Sequence, residues 1–313
     1  MPKKTIVIIE ALLAVIIWGA SFIATKIALR DVFPVTVVWL RFGMGVIILG
    51  ATVQFRRQLA LPGWRDIAYF AFLGFLGIAF HQWIQTTGLE TAQASTSAWI
   101  VSTAPIFIAI LGWIFLKEKL TLAQVGGIGL AAVGVMLVVS KGNLPSLIGG
   151  SAISFGDILI MISALNWAVF SILSRKGLQA HSAALMMFYV MAAGWLLTSI
   201  QFFAGPWRIQ IQQLTINGWL GVGFLGIFCT GLAYIFWYDA LKLLPASQAG
   251  VFLFIEPLIT AVAASVILNE PLLIMTLIGG STILLGVWIV NRNGKKPVIE
   301  DQSAEKGSQL TQV

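Results

Sequence analysis

With a single cysteine, Cys229, in 313 residues, the chain can form no intrachain disulfide and offers no cysteine-based metal site. Charge is scarce too. Asp, Glu, Lys and Arg make up 10% of the residues, against about a quarter in a soluble domain, which excludes an ordinary water-facing surface. Catalytic signatures are missing: there is no H-E-x-x-H, no G-x-S-x-G and no P-loop, so neither enzyme chemistry nor nucleotide-driven work is expected. The glycine-rich runs GFLGI and GGIGL lie in apolar stretches, where glycine serves helix packing. No cofactor and no metal is expected. What fills the chain is apolar: 58% hydrophobic residues and a mean hydropathy of +0.94 call for a bilayer. The net charge of +7 comes from short basic clusters between apolar runs, a pattern that sets membrane topology and builds no nucleic-acid surface.

A helix crosses the hydrocarbon core with about 20 apolar residues. Ten stretches meet that measure: 6–29, 35–55, 66–86, 94–115, 122–140, 154–174, 183–203, 217–240, 247–268 and 273–290. The first resembles a signal peptide, but it runs past Trp18, lacks an A-x-A site and has a counterpart later in the chain, so it is read as a helix. Pro34, Pro62, Pro145, Pro206, Pro245 and Pro271 fall between spans; Pro105 and Pro257 lie inside them as structural helix prolines. The longest gap, 141–153, separates a unit at 6–140 from one at 154–292. The polar stretch 293–313 reads as a disordered tail.

The two units look like copies. Shifted by 152 positions (246 − 94), ASQAGVFLFIEPLITAVAASVILNEPL at 246–272 lies without a gap over ASTSAWIVSTAPIFIAILGWIFLKEKL at 94–120. Pro105 meets Pro257, Glu118 meets Glu270, and beyond them Gly127 meets Gly279 and Gly134 meets Gly286. The first helices match at an offset of 149 (167 − 18), with Trp18 over Trp167 and Lys26 over Arg175. Five helices per copy is an odd number, so the second copy enters the membrane inverted, an arrangement that gives carriers two exchangeable open states. With the N-terminus in the cytoplasm, Lys3, Lys4, Arg56, Arg57, Arg65, Lys117, Lys119, Arg175, Lys176, Lys242, Arg292, Lys295, Lys296 and Lys306 lie inside. Lys26, Arg30, Arg41, Lys141 and Arg208 lie outside or in outer helix ends. That bias places both termini in the cytoplasm.

WGASF at 18–22 followed by Lys26, LRF at 40–42, and the segments 91–120 and 245–272 together resemble the EamA branch of the drug/metabolite transporter superfamily, over about residues 6–292. The resemblance implies ten helices in two EamA repeats and a central cavity that moves small metabolites, often exporting amino acids or related compounds.

A charge at membrane depth needs a partner or water. Glu256 shares a helical face with Ala249, Leu253, Thr260 and Ala263, small enough for close approach; it reads either as a binder of substrate amine or proton, or as a structural link beside Pro257. His81 and Gln85 share a face with Gly74, Gly77 and Gly88, while Gln82 and Trp83 lie off it; His81 is a proton carrier or a packed, hydrogen-bonded histidine. Trp18, Ser21 and Thr25 form one polar-aromatic line, and Tyr234 and Trp237, with Tyr238 beside them, another. Such lines suit a cavity for amphipathic solutes, or, for Trp237 and Tyr238, a membrane interface. Asn166 lies well inside its span, so a buried polar role is expected, and with Trp18, His81, Gln85, Tyr234 and Glu256 it is a candidate for the polar lining of the central cavity. Lys26 and Arg41 either extend to the outer interface or serve as charge partners of Glu256 or a substrate carboxylate.

The expected protein is therefore an all-α integral membrane carrier of ten helices in the inner (plasma) membrane. It works by alternating access as a monomer or weak dimer and exports amino acids or similar metabolites, with a proton as a further partner. A multidrug or nucleotide-sugar carrier is the alternative of the same class; a channel or a membrane enzyme is the alternative of another.

Overall fold

A computed structural model of the chain describes residues 3–117, 119–143, 145, 153–243 and 252–292. Glu118, the start of the ninth expected span and the tail 293–313 lie outside them, as does the side chain of Tyr238. Among the described residues the regular structure is all helical, with no strand. Nine helical runs among them are long and apolar enough to cross a membrane, and Leu253–Ile267 is a shorter apolar one.

The order begins with α1 (Lys3–Ala28) and α2 (Pro34–Phe55), the latter opening on a proline that has no amide hydrogen to satisfy. The third span is α3 (Trp64–Gly74), a π-helical segment Phe75–Phe80 and α4 (His81–Thr91). The fourth is α5 (Ala94–Val101) and α6 (Ala104–Leu116); α7 (Leu122–Ser140) is the fifth. The second unit runs through α8 (Phe155–Ala180), α9 (Ala183–Ala204) and a short α10 (Trp207–Gln213). Its eighth span is α11 (Ile216–Gly223), a π-helical segment Phe224–Leu232 and α12 (Ala233–Leu243). A 3₁₀ turn Leu253–Ile255, α13 (Glu256–Ile267) and α14 (Ile274–Arg292) complete it. Two starts carry the same local signal: Thr121 with Gln124 and Ser154 with Asp157 form capping boxes ahead of α7 and α8.

Glycine decides how α7 meets α14. A Cβ at Gly127 would come within 2.8 Å of the Gly286 carbonyl oxygen, and one at Gly134 within 2.7 Å of that of Gly279. Lower numbers on one helix face higher numbers on the other, so these two sequence-equivalent helices run antiparallel. The main partnerships repeat when the halves are exchanged: α1 packs on the eighth span and α13, while α8 packs on the third span and α6. Likewise α2 packs on the second π segment and α9 on the first. Side chains such as Ile47, Leu196, Ile200 and Val266 are left exposed on the outer faces, where acyl chains replace water.

Both prolines expected inside spans stand at helix restarts. Pro105 follows a turn at Ser102–Thr103, and Pro257 follows the 3₁₀ turn. In the first, Ser102 Oγ donates to the Trp99 carbonyl at 2.7 Å and Thr103 Oγ1 to that of Ile100 at 2.6 Å, which also accepts the Thr103 amide at 3.0 Å. α10 was not expected from the sequence: it is under two turns long and half polar. It ties the loops together, because the Gln210 side chain accepts from the Phe33 amide at 2.6 Å.

Candidate functional site

A π turn widens the helix and frees backbone acceptors from regular pairing. In the eighth span the Trp18 indole donates to the Cys229 carbonyl at 3.1 Å, and Thr230 Oγ1 donates to that of Leu225 at 2.9 Å. In the third span Asn166 Nδ2 donates to the Leu76 carbonyl at 2.8 Å. The first helix of each half thus serves the π segment of the other. Asn166, expected to be buried and polar, is 7% exposed, and its amide is committed to this seam.

Between the two π segments lies a polar centre. Arg41, on α2, is 8% exposed. It does not extend to the interface, one of its two expected courses. Its Nε donates to Thr230 Oγ1 and its Nη1 to Gln82 Oε1, each at 3.2 Å. His81 is buried beside it; its Nδ1 has no hydrogen-bond partner among the described residues, and its ring lies 5.1 Å from that of Trp167. Gln82, placed off the working face by a 3.6-residue count, is buried and turned to Arg41 because the π segment before it shifts the register. Trp83 is exposed, as its position off that face requires.

An aromatic wall adjoins this centre. Trp18 meets Tyr234 edge-on at 5.5 Å and Trp237 at 5.4 Å. Tyr234 lies within electrostatic reach of both Arg41 and Glu256. The Glu256 carboxylate is half-buried and accepts no hydrogen bond among the described residues, while its backbone carbonyl accepts from Thr260 Oγ1 at 3.0 Å. That single hydroxyl hydrogen is shared with the Gly19 carbonyl, the nearer acceptor at 2.8 Å, and the absence of a side chain at Gly19 lets α13 close on α1. Ser21 and Gln85 are half-buried and make no side-chain hydrogen bond among the described residues.

Lys26 belongs to a different place. Its ammonium donates to the Ala92 carbonyl, while Glu270 accepts from the amides of Ala94 at 2.7 Å and Ser95 at 3.0 Å and from Ser95 Oγ at 2.7 Å. A cation at one helix C-terminus and an anion at the next N-terminus fix the corner between the third and fourth spans. The region equivalent to this corner, around Glu118 and Ser247, lies outside the described residues.

Two cavities open nearby. One of about 1010 Å³ runs between α1, the eighth span and α13, apolar along Ile23, Ile27, Phe224 and Ile267 with Arg30 and Asp31 at one end. The other, about 510 Å³, is polar and bordered by Lys26, Arg30, Glu90, Gln93 and Glu270. The centre around Arg41 and Glu256 borders neither. Just past the end of α2, Arg56 pairs with Asp239 of α12 through two bonds of 2.7 and 2.6 Å, which hold its guanidinium above the usual arginine range.

A family model described as the EamA-like transporter family matches residues 5–140 and 154–292. Two proteins of Archaeoglobus fulgidus, each named an uncharacterized transporter, are 30% identical over 93% of this chain and 99% of their own length, and 29% identical over 92% and 98%. The uncharacterized transporter YyaM of Bacillus subtilis is 26% identical over 86% of this chain and 88% of its own. A solved crystal structure with 18% identity superposes with a TM-score of 0.62, covering 91% of this chain and 97% of that one, a likeness of fold.

Proposed function

Because the chain belongs to the EamA-like transporter family, and is thus a multi-pass membrane transporter of small molecules, we propose that it is a secondary carrier exporting amino acids or closely related metabolites from the cytoplasm. It does so in the plasma membrane, with both termini inside, by alternating access between two halves of opposite orientation. The observation that carries this reading is the Glu256 carboxylate, set where α13 restarts within its span and without a hydrogen bond among the described residues. A carboxylate at that depth calls for a proton or a ligand amine. The antiparallel crossing of α7 and α14 supports the two-state scheme, since inverted copies can exchange conformations at similar energy.

A multidrug carrier is the second reading, favoured by the wall of Trp18, Tyr234 and Trp237, which suits flat amphipathic solutes. Flux of a radiolabelled amino-acid panel through proteoliposomes, with and without a pH gradient, separates the two. Amino-acid flux that rises with the gradient and falls at least tenfold in Glu256→Gln is expected. Flux of amphipathic drugs alone would transfer the assignment to the second reading. Unchanged rate and pH response in a folded Glu256→Gln would reduce the carboxylate to a structural part.

A further inference from the structure

Arg41 carries a buried charge that the described residues orient but do not neutralise. Its two bonds go to a hydroxyl and an amide oxygen. Thr230 directs its own hydrogen to Leu225, so its oxygen faces the guanidinium as an acceptor, and Gln82 likewise presents its carbonyl oxygen. No carboxylate pairs with Arg41 among the described residues, and Nη2 donates to none of them. The ionisable groups facing it are His81, Cys229 and Tyr234. Neutral dipoles and the Phe42 ring, whose centroid lies 5.1 Å from its Cζ, can aim and partly stabilise the guanidinium. A buried cation with no anion is still costly, and the geometry it is built to take is the two-oxygen edge of a carboxylate. The charge of opposite sign nearby, Glu256, acts on Tyr234 and makes no ion pair with Arg41. The Glu256 backbone packs on Gly19, next to Trp18, whose ring lies 5.5 Å from that of Tyr234. A cation and an anion that do not pair, beside one aromatic wall, suit a molecule that carries both signs.

We propose that Arg41, aimed by Thr230 and Gln82, anchors the carboxylate of a zwitterionic substrate whose amine lies toward Glu256. This rests on the transporter reading and narrows its substrate class to molecules with a free carboxylate. It also assigns a purpose to the π segments. One lies just ahead of His81 and Gln82 and the other contains Thr230, so one orienting group follows a widened turn and the other lies within one.

The experiment uses the full-length protein in proteoliposomes, with radiolabelled amino acids as cargo and the same amino acids or their methyl esters as unlabelled competitors. The ester keeps the amine and removes the negative charge. In the wild type the acids are expected to compete at least tenfold better than their esters. In Arg41→Gln the KM for the acid rises at least tenfold while ester competition stays as it was. Arg41→Lys recovers part of the loss, and Thr230→Val, which keeps the charge and loosens its aim, gives a smaller rise in KM. Esters competing as well as acids in the wild type would overturn the anchor, and that arm decides the matter even if Arg41→Gln does not fold. A wild-type KM in a folded Arg41→Gln would overturn it too. Flux of a hydrophobic cation such as tetraphenylphosphonium that amino acids do not inhibit would sink the anchor and leave transport standing. Absence of flux for every probe would remove both.

Discussion

Residues 5–140 and 154–292 repeat one backbone and dress it differently. Both third helices of the copies pass through a π segment that begins within the same pentapeptide, GFLGI, at 74–78 and 223–227, and both fourth helices restart at a proline. The side chains on these shared interruptions diverge. At the 149-residue offset, His81 faces Thr230, Gln82 faces Gly231 and Gln85 faces Tyr234. The two charges of the centre diverge most: Arg41 corresponds to Val190, and at the 152-residue offset Glu256 corresponds to Ala104. Each half supplies the sign that the other lacks. The backbone interruptions recur in both copies and the charges do not, as expected if the proposed substrate binds between the copies and needs only one cation and one anion.

The largest effect expected from this comparison is at the packed pair of equivalent helices. Gly134→Ala would drive a Cβ to 2.7 Å from the Gly279 oxygen, and Gly286→Ala to 2.5 Å from the Gly127 oxygen; both neighbours are backbone and cannot swing away. Each substitution should destabilise by about 1–3 kcal/mol, as overpacking does. Gly129→Ala on the same α7 meets nothing within 4 Å and should be neutral or mildly stabilising, by up to about 1 kcal/mol, because alanine favours helix. Denaturant midpoints of the purified protein in detergent check all three. A large difference between Gly134→Ala and Gly286→Ala would break the equivalence of the halves at this seam.

Much of this backbone could be read from the residues, and the reason is length. Apolar runs of about 20 residues have few ways to satisfy their amides in lipid, so nine of the ten expected runs are helices close to where they were placed, and the described part of the ninth is helical too. Glycine spacing in α7 and α14 was legible through the copy alignment, since Gly127 and Gly134 recur as Gly279 and Gly286. The π segments were not legible from periodicity, because a widened turn has the same composition as a regular one. The recurrence of GFLGI was the available signal. That omission propagated: a count at 3.6 residues per turn across 75–80 set Gln82 aside, although the shifted register buries it against Arg41. Arg41 itself could have extended outward on its long stem; only the positions of Thr230 and Gln82, from two other helices, decide that it stays inside.

A smaller effect separates the two donors that serve the π segments. Asn166→Leu removes the bond to Leu76 and should lower stability by about 1 kcal/mol, in the range of interhelical hydrogen bonds in membranes. Trp18→Phe removes the bond to Cys229 and also alters the wall shared with Tyr234 and Trp237. It should reduce flux severalfold beyond what its loss of stability explains. Equal ratios of flux to folded protein in the two variants would mean that the wall contributes nothing to transport.

The smallest effect belongs to the tether between Arg56 and Asp239, and it is informative through its opposite. Both side chains are partly open to water, at 34% and 23%, so screening leaves such a pair about 0–1 kcal/mol. Since Asp239 raises the arginine's titration above its ordinary range, the contribution is complete at all pH values below that range and is lost only above it. Physiological pH changes therefore leave the arginine's part intact, and salt is the lever that weakens it. At the other end of the eighth span, Asp31 accepts from the Thr215 amide at 2.8 Å and its hydroxyl at 2.6 Å, while Thr215 caps α11. That link joins a carboxylate to neutral donors at a helix start and should cost about 1–2 kcal/mol to remove. Arg56→Ala should thus cost under about 1 kcal/mol at low ionic strength and nearly nothing at 0.5 M salt, roughly where screening shortens below 5 Å. Asp31→Ala should cost more and change little with salt. Melting curves of both variants at two salt concentrations make the check; a strong salt response in Asp31→Ala and none in Arg56→Ala would reverse the assignment of which end of that span is held by an ion pair.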